Sequence, residues 1–62
     1  MSELELQREI FKQLDSDIRE LLSLVHSIKL SKIVHNEEKA REDLVRARWL
    51  AQQISDMLDE LG

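Results

Sequence analysis

Apolar residues between positions 11 and 28 recur at alternating steps of three and four, and this pattern constrains the fold of the chain more than any other feature. The series consists of Phe11, Leu14, Ile18, Leu21, Val25 and Ile28. Such spacing places side chains along one side of an α-helix. Leu22 and Leu24 widen the stripe, so a single neighbouring helix would not cover it. The segment therefore predicts a helix that packs against more than one partner.

The length of the chain makes a second copy the expected source of additional stability. With 62 residues the chain forms one domain at most, and a domain of this size buries too little surface to be comfortably stable alone. The chain has no cysteine for a disulfide, and its two histidines, His26 and His35, cannot form a structural zinc site by themselves. We therefore expect a homodimer that needs no metal or cofactor.

Composition favours a helical protein inside the cell. Apolar residues make up 42% and charged residues 35% of the chain, with one glycine and no proline, a mixture typical of helical bundles. The net charge of −4 argues against nonspecific nucleic-acid binding. No apolar run approaches the roughly 20 residues that cross a bilayer. The polar, acidic start of the chain is unlike a signal peptide, so we predict an intracellular location without membrane contact.

Capping residues predict two helices joined by a short turn. Ser2 can cap a first helix over about 3–34, and Asn36 can cap a second over about 37–61, with the turn at about 34–36. The turn has no glycine, so His35 or Asn36 would have to take any left-handed conformation. A short turn between two helices produces an antiparallel hairpin.

The second helix carries its own apolar stripe, richer in alanine than the first. Its members are Ala40, Leu44, Ala47, Ala51, Ile54, Leu58 and Leu61. Large residues of one helix facing small residues of the other allow close packing. One hairpin would leave apolar residues exposed, namely Leu22, Leu24, Leu50 and Met57. We therefore predict an all-α fold, an antiparallel helix-turn-helix hairpin that dimerises into a four-helix bundle through the two stripes and Leu22.

The literal sequence of the first helix adds a family resemblance. The run LDSDIRELLSLVHSIKL, from Leu14 to Leu30, and the later HNEEKAREDL resemble a small protein of the spindle-shaped viruses (fuselloviruses) that infect thermoacidophilic archaea. The similarity covers most of the chain and is strongest from Ile10 to Ile33. It implies a hairpin that dimerises into an antiparallel four-helix bundle with an adaptor role, and it brings no catalytic or ligand residues. The turn here departs from the family pattern because it lacks glycine.

Val45 and Trp49 form the candidate partner surface. Trp49 is the only tryptophan and lies two residues from both Ala47 and Ala51, about 200° around the helix from each. Val45 precedes it by one turn. One interpretation is an exposed apolar spot of the kind that binds partners. The other is an indole ring that lies on the side chains of Arg46 and Arg48 or packs near the end of the other helix.

Two other functions are weaker alternatives to an adaptor. Basic residues in the second helix (Lys39, Arg41, Arg46 and Arg48) would suit a nucleic-acid-binding regulator, but acids are interspersed and only 3% of the chain is aromatic. The segment from Ser55 to Asp59 loosely resembles the Ser-x-x-Leu-Asp signature of small sporulation-type phosphatases, with Asp56 where that family has glutamine. No nucleophile–base pair or phosphate loop is evident, so we predict a non-enzymatic, adaptor-like homodimer with an unidentified protein partner, located in the host cytoplasm if the protein is viral.

Overall fold

Two antiparallel helices make up the part of the chain that the structure describes. The computed structural model describes residues 2–62, with helix α1 over Glu3–Ile33 and helix α2 over Glu37–Leu61. The hairpin is a rod of 49 × 14 × 14 Å. The predicted all-α hairpin is confirmed, and α1 ends one residue before the predicted boundary. Dimerisation stays a prediction.

The ends of α1 follow from its capping residues. The Ser2 hydroxyl accepts a hydrogen bond from the Glu5 backbone N–H at 3.2 Å, and Glu3 and Glu5 place acids at the positive end of the helix dipole. At the other end, Val34 is the C-cap and its N–H donates to the Leu30 carbonyl at 3.2 Å. Both ends of α1 therefore satisfy backbone groups that a helix terminus would otherwise leave unpaired.

The turn places its left-handed residue at His35, which has a φ of 60°. Asn36 does not take that conformation because it caps α2. Its φ is −87°, and its side-chain oxygen accepts a hydrogen bond from the Lys39 backbone N–H at 3.2 Å. The Asn36 N–H in turn donates to the Ser31 carbonyl at 2.8 Å. Capping thus assigns the left-handed position to a residue with a Cβ, at an energetic cost that glycine would avoid.

Replacing His35 with glycine should stabilise the protein by about 0.5–1 kcal/mol, because glycine adopts positive φ without steric cost. Urea unfolding followed by circular dichroism measures the change. His26→Gly is the matched control, since His26 is exposed in the middle of α1, where glycine lowers helix stability. A destabilised His35→Gly protein would show that His35 does not hold the left-handed conformation.

The core between the helices is narrow. Its buried apolar side chains are Leu14, Ala40, Ala47 and Leu50, of which Leu50 is only 1% exposed. The prediction that Leu50 stays exposed in a single hairpin is therefore wrong. Leu22 is exposed as expected, whereas Leu24 and Met57 are half-buried.

Buried polar residues explain the position of Leu50. Asp17, Ser31 and Asp43 also lie in the interface between the helices. Since Asp43 precedes Leu50 by two helical turns, burying Asp43 brings Leu50 to the same side of α2. The side of α2 that faces α1 is therefore centred between Ala47 and Leu50, and Ala51 is left exposed.

Candidate interaction surface

One side of the hairpin is linked by polar bonds between the helices. Ser27 donates to Asp43 at 2.6 Å, and Gln53 donates to Asp17 at 2.6 Å. Between these two bonds, the Arg46 guanidinium donates to Glu20 at 2.8 Å. Ser27 lies ten residues after Asp17 on α1, and its partner Asp43 lies ten residues before Gln53, the partner of Asp17, on α2. These bonds fix the antiparallel register, and we call this the polar side.

The two buried carboxylates are satisfied in the same way. Each accepts one hydrogen bond from the other helix and one from the residue four positions earlier on its own helix. The donors on the same helix are Gln13, at 2.9 Å from Asp17, and Lys39, at 3.1 Å from Asp43. Within residues 2–62, no buried side-chain nitrogen or oxygen lacks a partner. The polar side therefore uses its hydrogen-bonding groups within the hairpin.

The hydrogen bond from Ser27, aided by Lys39, holds the pKa of Asp43 below its usual range. The ionised form is thus stabilised by folding. This contribution should be complete above the unfolded pKa of about 3.9 and lost as the pH falls through the lower folded pKa. Ser27→Ala removes the main cause, so it should raise the pKa of Asp43. An NMR titration of the Asp43 carboxyl measures the shift, with Ser23→Ala, an exposed serine on α1, as the control. An unchanged pKa in Ser27→Ala would contradict this account.

The opposite side of the hairpin is apolar and uncovered. Apart from Leu22, the residues of this apolar face precede polar residues by two positions, about 200° around the helix, as Val25 precedes Ser27 and Leu44 precedes Arg46. The apolar face consists of Phe11, Ile18, Leu22 and Val25 on α1 and Leu44, Ala51 and Leu58 on α2. All are exposed except Leu44, which is half-buried. Phe11 is 55% exposed and Leu22 65% exposed.

An ion pair near the turn gives the register of the apolar face. Lys32 bonds Glu37 at 2.6 Å, and both side chains are about half exposed. Steps of seven residues back from Lys32 reach Val25, Ile18 and Phe11. Equal steps forward from Glu37 reach Leu44, Ala51 and Leu58. Seven residues return nearly to the same side of a helix, so these positions form three successive layers. The layers are Val25 with Leu44, Ile18 with Ala51, and Phe11 with Leu58. The ion pair of Lys32 and Glu37 lies at the turn end of the series.

The predicted seam thus divides into two parts. Leu14 and Ala47 are buried within the hairpin, and Leu21, Ile28, Leu44, Ile54 and Leu61 are half-buried. The exposed members are Phe11, Ile18, Leu22, Val25, Ala51 and Leu58. The first group packs the two helices together, with Leu44 also forming part of the apolar face, and the second group lies entirely on that face. The role of either group in a dimer stays a prediction.

Val45 and Trp49 lie on a third surface, the side of α2 turned away from α1. Val45 is 64% exposed and Trp49 is 54% exposed. The Arg46 guanidinium carbon lies over the indole ring, 4.7 Å from its centroid, which is a cation–π contact. Both sequence interpretations therefore hold in part, because the ring is exposed and is also packed against Arg46. Whether this surface binds a partner stays a prediction.

Some polar contacts differ from those that the sequence suggests. Glu20 and Ser27 have the helical spacing of a solvent-facing side, but both are half-buried and bond α2. The sequence also contains a polar series with a spacing of seven residues, shifted by two positions from the apolar series. This series could have been used to predict the polar side. On α1 this series contains Gln13, Glu20 and Ser27, and on α2 it contains Lys39, Arg46 and Gln53.

Residues 2–62 show none of the features of a small-molecule site. No pocket is present there, and no group of three or more His, Cys, Asp or Glu side chains could hold a metal ion. His26 and His35 are both exposed, as are Ser55, Asp56 and Asp59. Neither helix of the part described is long and apolar enough to span a bilayer.

Comparison with known proteins places the chain in a viral family. No solved structure matches it. The model of one family, described as Sulfolobus spindle-shape virus 1, protein D-63, matches residues 1–61. This match agrees with the resemblance found along the first helix and extends it over nearly the whole chain. The chain therefore belongs to the protein D-63 family of Sulfolobus spindle-shape virus 1.

Proposed function

We propose that the protein is a non-enzymatic, adaptor-like interaction module of a virus, acting inside the host cell as a homodimeric four-helix bundle. The observation that carries the proposal is the apolar face, whose three layers of apolar residues are exposed except at Leu44 and lie opposite a polar side whose bonds are made within the hairpin. Soluble monomers rarely expose a continuous apolar surface of this kind. A second copy covers it and produces a bundle with a shared core.

The exposed area of the hairpin supports a dimer. The chain exposes 4981 Å², whereas a compact monomer of its 7.3 kDa mass exposes about 4,200 Å². The excess of roughly 800 Å² equals what one partner buries in a standard protein interface. The radius of gyration of 14.6 Å also exceeds the value of about 10.6 Å for a compact domain of this length. The single hairpin is therefore more open than a stable small domain usually is.

The side-chain sizes on the apolar face suit contact with a copy of itself. In a twofold dimer the same face meets itself, so it must carry both projections and spaces. Phe11, Ile18 and Leu22 supply large side chains, and Ala51 supplies a space in the middle layer. Large and small residues that alternate across facing layers pack without voids. The ion pair of Lys32 and Glu37 borders this contact with charge at the turn end.

Sedimentation equilibrium of the purified protein tests the proposal. We expect a mass of twice 7.3 kDa at micromolar concentration, with fully helical circular dichroism. A stable, fully folded monomer under these conditions would refute the dimer. Dilution should lower the dimer content, and the separated hairpins should be less stable because the apolar face is then exposed to water.

A further inference from the structure

The outward side of α2 carries a compact patch of arginine and apolar side chains. We call Arg41, Val45, Arg48 and Trp49 the Trp49 patch. All four are exposed, and their spacing of four, three and one residues places them on one side of the helix. Val45 and Trp49 lie about 100° or more around α2 from Leu44, Ala51 and Leu58, whereas Arg41 and Arg48 lie about 40–100° from them. A second copy on the apolar face would therefore leave Val45 and Trp49 uncovered and would have the two arginines at its border.

The indole ring of Trp49 is held in place before any partner arrives. Glu20 on α1 binds Arg46 at 2.8 Å, and the Arg46 guanidinium packs over the Trp49 ring. The ring thus loses less freedom on binding than a free side chain would. Tryptophan and arginine are also the residues that most often dominate binding energy at interfaces. Trp49 is therefore a prepared anchor with one half of its surface available.

The charges of the patch identify the chemistry of its partner. The ion pairs within residues 2–62 join Lys32 to Glu37, Lys39 to Asp43 and Arg46 to Glu20. Arg41 and Arg48 take part in none of these, and they lie about 10 Å apart along the helix. We propose that the Trp49 patch binds an acidic segment of another protein, with an apolar side chain on Val45 and Trp49 and carboxylates on Arg41 and Arg48.

The surroundings of the patch favour an acidic peptide over a nucleic acid. Exposed acids lie along the same side of α2, with Glu38 before the patch, Glu42 between Arg41 and Val45, and Asp56 after the patch. A nucleic-acid strand carries phosphates at regular short intervals, so it would meet these carboxylates wherever it continued along the helix. Two carboxylates spaced about 10 Å apart, as on two turns of a helix, match the spacing of Arg41 and Arg48 without requiring further negative charge along α2.

The adaptor role of the patch rests on the proposed function, since only a dimer presents two such patches. Each hairpin contributes one outward side of α2, so one dimer could hold two acidic segments at once. Two linked binding events strengthen each other through effective concentration when geometry allows both. An adaptor that joins two copies of one partner follows directly from this arrangement.

Fluorescence anisotropy of a labelled synthetic peptide tests the inference. The probe is a short helical peptide with two glutamates seven positions apart and a phenylalanine between them. The comparison probes are the same peptide with lysines in place of the glutamates and a single-stranded oligothymidylate. Because Trp49 is the only tryptophan, its emission reports binding at the patch independently. We expect binding of the acidic peptide alone, with a change in Trp49 emission and weaker binding at higher salt.

Charge-reversal variants locate the site. Arg41→Glu with Arg48→Glu should weaken binding at least about tenfold, since each attraction becomes a repulsion. Arg8→Glu with Arg19→Glu changes the net charge equally on exposed positions of α1 and should leave the affinity unchanged. Trp49→Ala, measured through the peptide label, should also lose at least about tenfold. Circular dichroism checks that each variant remains helical.

The outcomes separate this inference from the proposed function. Equal weakening by both double variants, or equal binding of the lysine peptide, would overturn the acidic-segment site. Displacement of the peptide by oligothymidylate would assign the patch to a nucleic acid instead. Sedimentation of the same samples reports the dimer. A dimer that does not bind the acidic peptide refutes the patch alone, whereas a monomer that binds it refutes the dimer alone.

Discussion

Replacing Ile18 with aspartate should raise the dissociation constant of the dimer at least about 100-fold, which corresponds to about 2.7 kcal/mol. Ile18 lies in the middle layer of the apolar face and is 43% exposed in the single hairpin. A second copy would bury the new carboxylate without a partner, at a cost of several kcal/mol. Within one hairpin the same carboxylate still reaches water. The two hairpins of the dimer should therefore separate before the two helices within each hairpin lose their contact.

Sedimentation equilibrium and circular dichroism together measure this result. Ser23→Asp is the matched control, because it adds the same charge to an exposed polar position of α1 and should leave the dimer intact. If Ile18→Asp sediments as the wild-type dimer does, the apolar face is not the dimer interface. If both variants dissociate equally, the effect comes from net charge alone.

Replacing Leu50 with alanine should lower the free energy of unfolding by about 2–5 kcal/mol, the usual cost of truncating a buried leucine. Leu50 is 1% exposed, the most buried large side chain of the hairpin. A chain of 62 residues has a total stability of roughly 3–9 kcal/mol, so the loss would unfold a large share of the protein at ordinary temperature. The expected effect is larger than for any leucine of the apolar face in a monomer.

Urea unfolding followed by circular dichroism checks the Leu50→Ala prediction. Leu30→Ala is the control, since Leu30 is a leucine on α1 that is 50% exposed, and its truncation should change stability by no more than about 0.5 kcal/mol. Similar losses in the two variants would mean that Leu50 is not in the core. Measurement at several protein concentrations separates unfolding of the hairpin from dissociation of the dimer.

The helices and their ends could be predicted because they depend on neighbouring residues. The hydroxyl of Ser2 and the amide oxygen of Asn36 each cap a helix within three residues of themselves. The step pattern of the apolar residues predicts the length and the antiparallel pairing of the helices. The left-handed position could only be narrowed to His35 or Asn36, because the choice depends on which of the two caps α2.

The division of the apolar residues between core and surface could not be predicted in the same way. Steps of three and four do not distinguish Leu50 from Ala51, since both lie within one broad stripe. The bonds of Asp17 and Asp43 to the opposite helix decide the rotation of α2, and these partners are far apart in the sequence. The spacing of the apolar residues alone could therefore not show that a single hairpin buries Leu50.

The sequence predicted the candidate partner surface only as one of two alternatives, an exposed apolar spot or an indole ring packed on neighbouring side chains. Helical spacing puts Val45 and Trp49 opposite the seam, and the structure leaves both exposed. The contact of Trp49 with Arg46 also follows from their spacing, but the bond of Arg46 to Glu20 requires α1 to pack alongside. That bond orients the indole ring, and sequence spacing alone contains no information about it.

The two helices, their caps, their antiparallel turn and the viral family follow from the sequence, because they depend on local periodicity, local hydrogen bonds or literal sequence. Which apolar residues the hairpin buries, and which it leaves on one uncovered face, follows from the packing of the helices. The packing depends on the rotation of each helix about its axis. Polar bonds between distant residues set that rotation, and they direct the apolar face outward on the side opposite to their own.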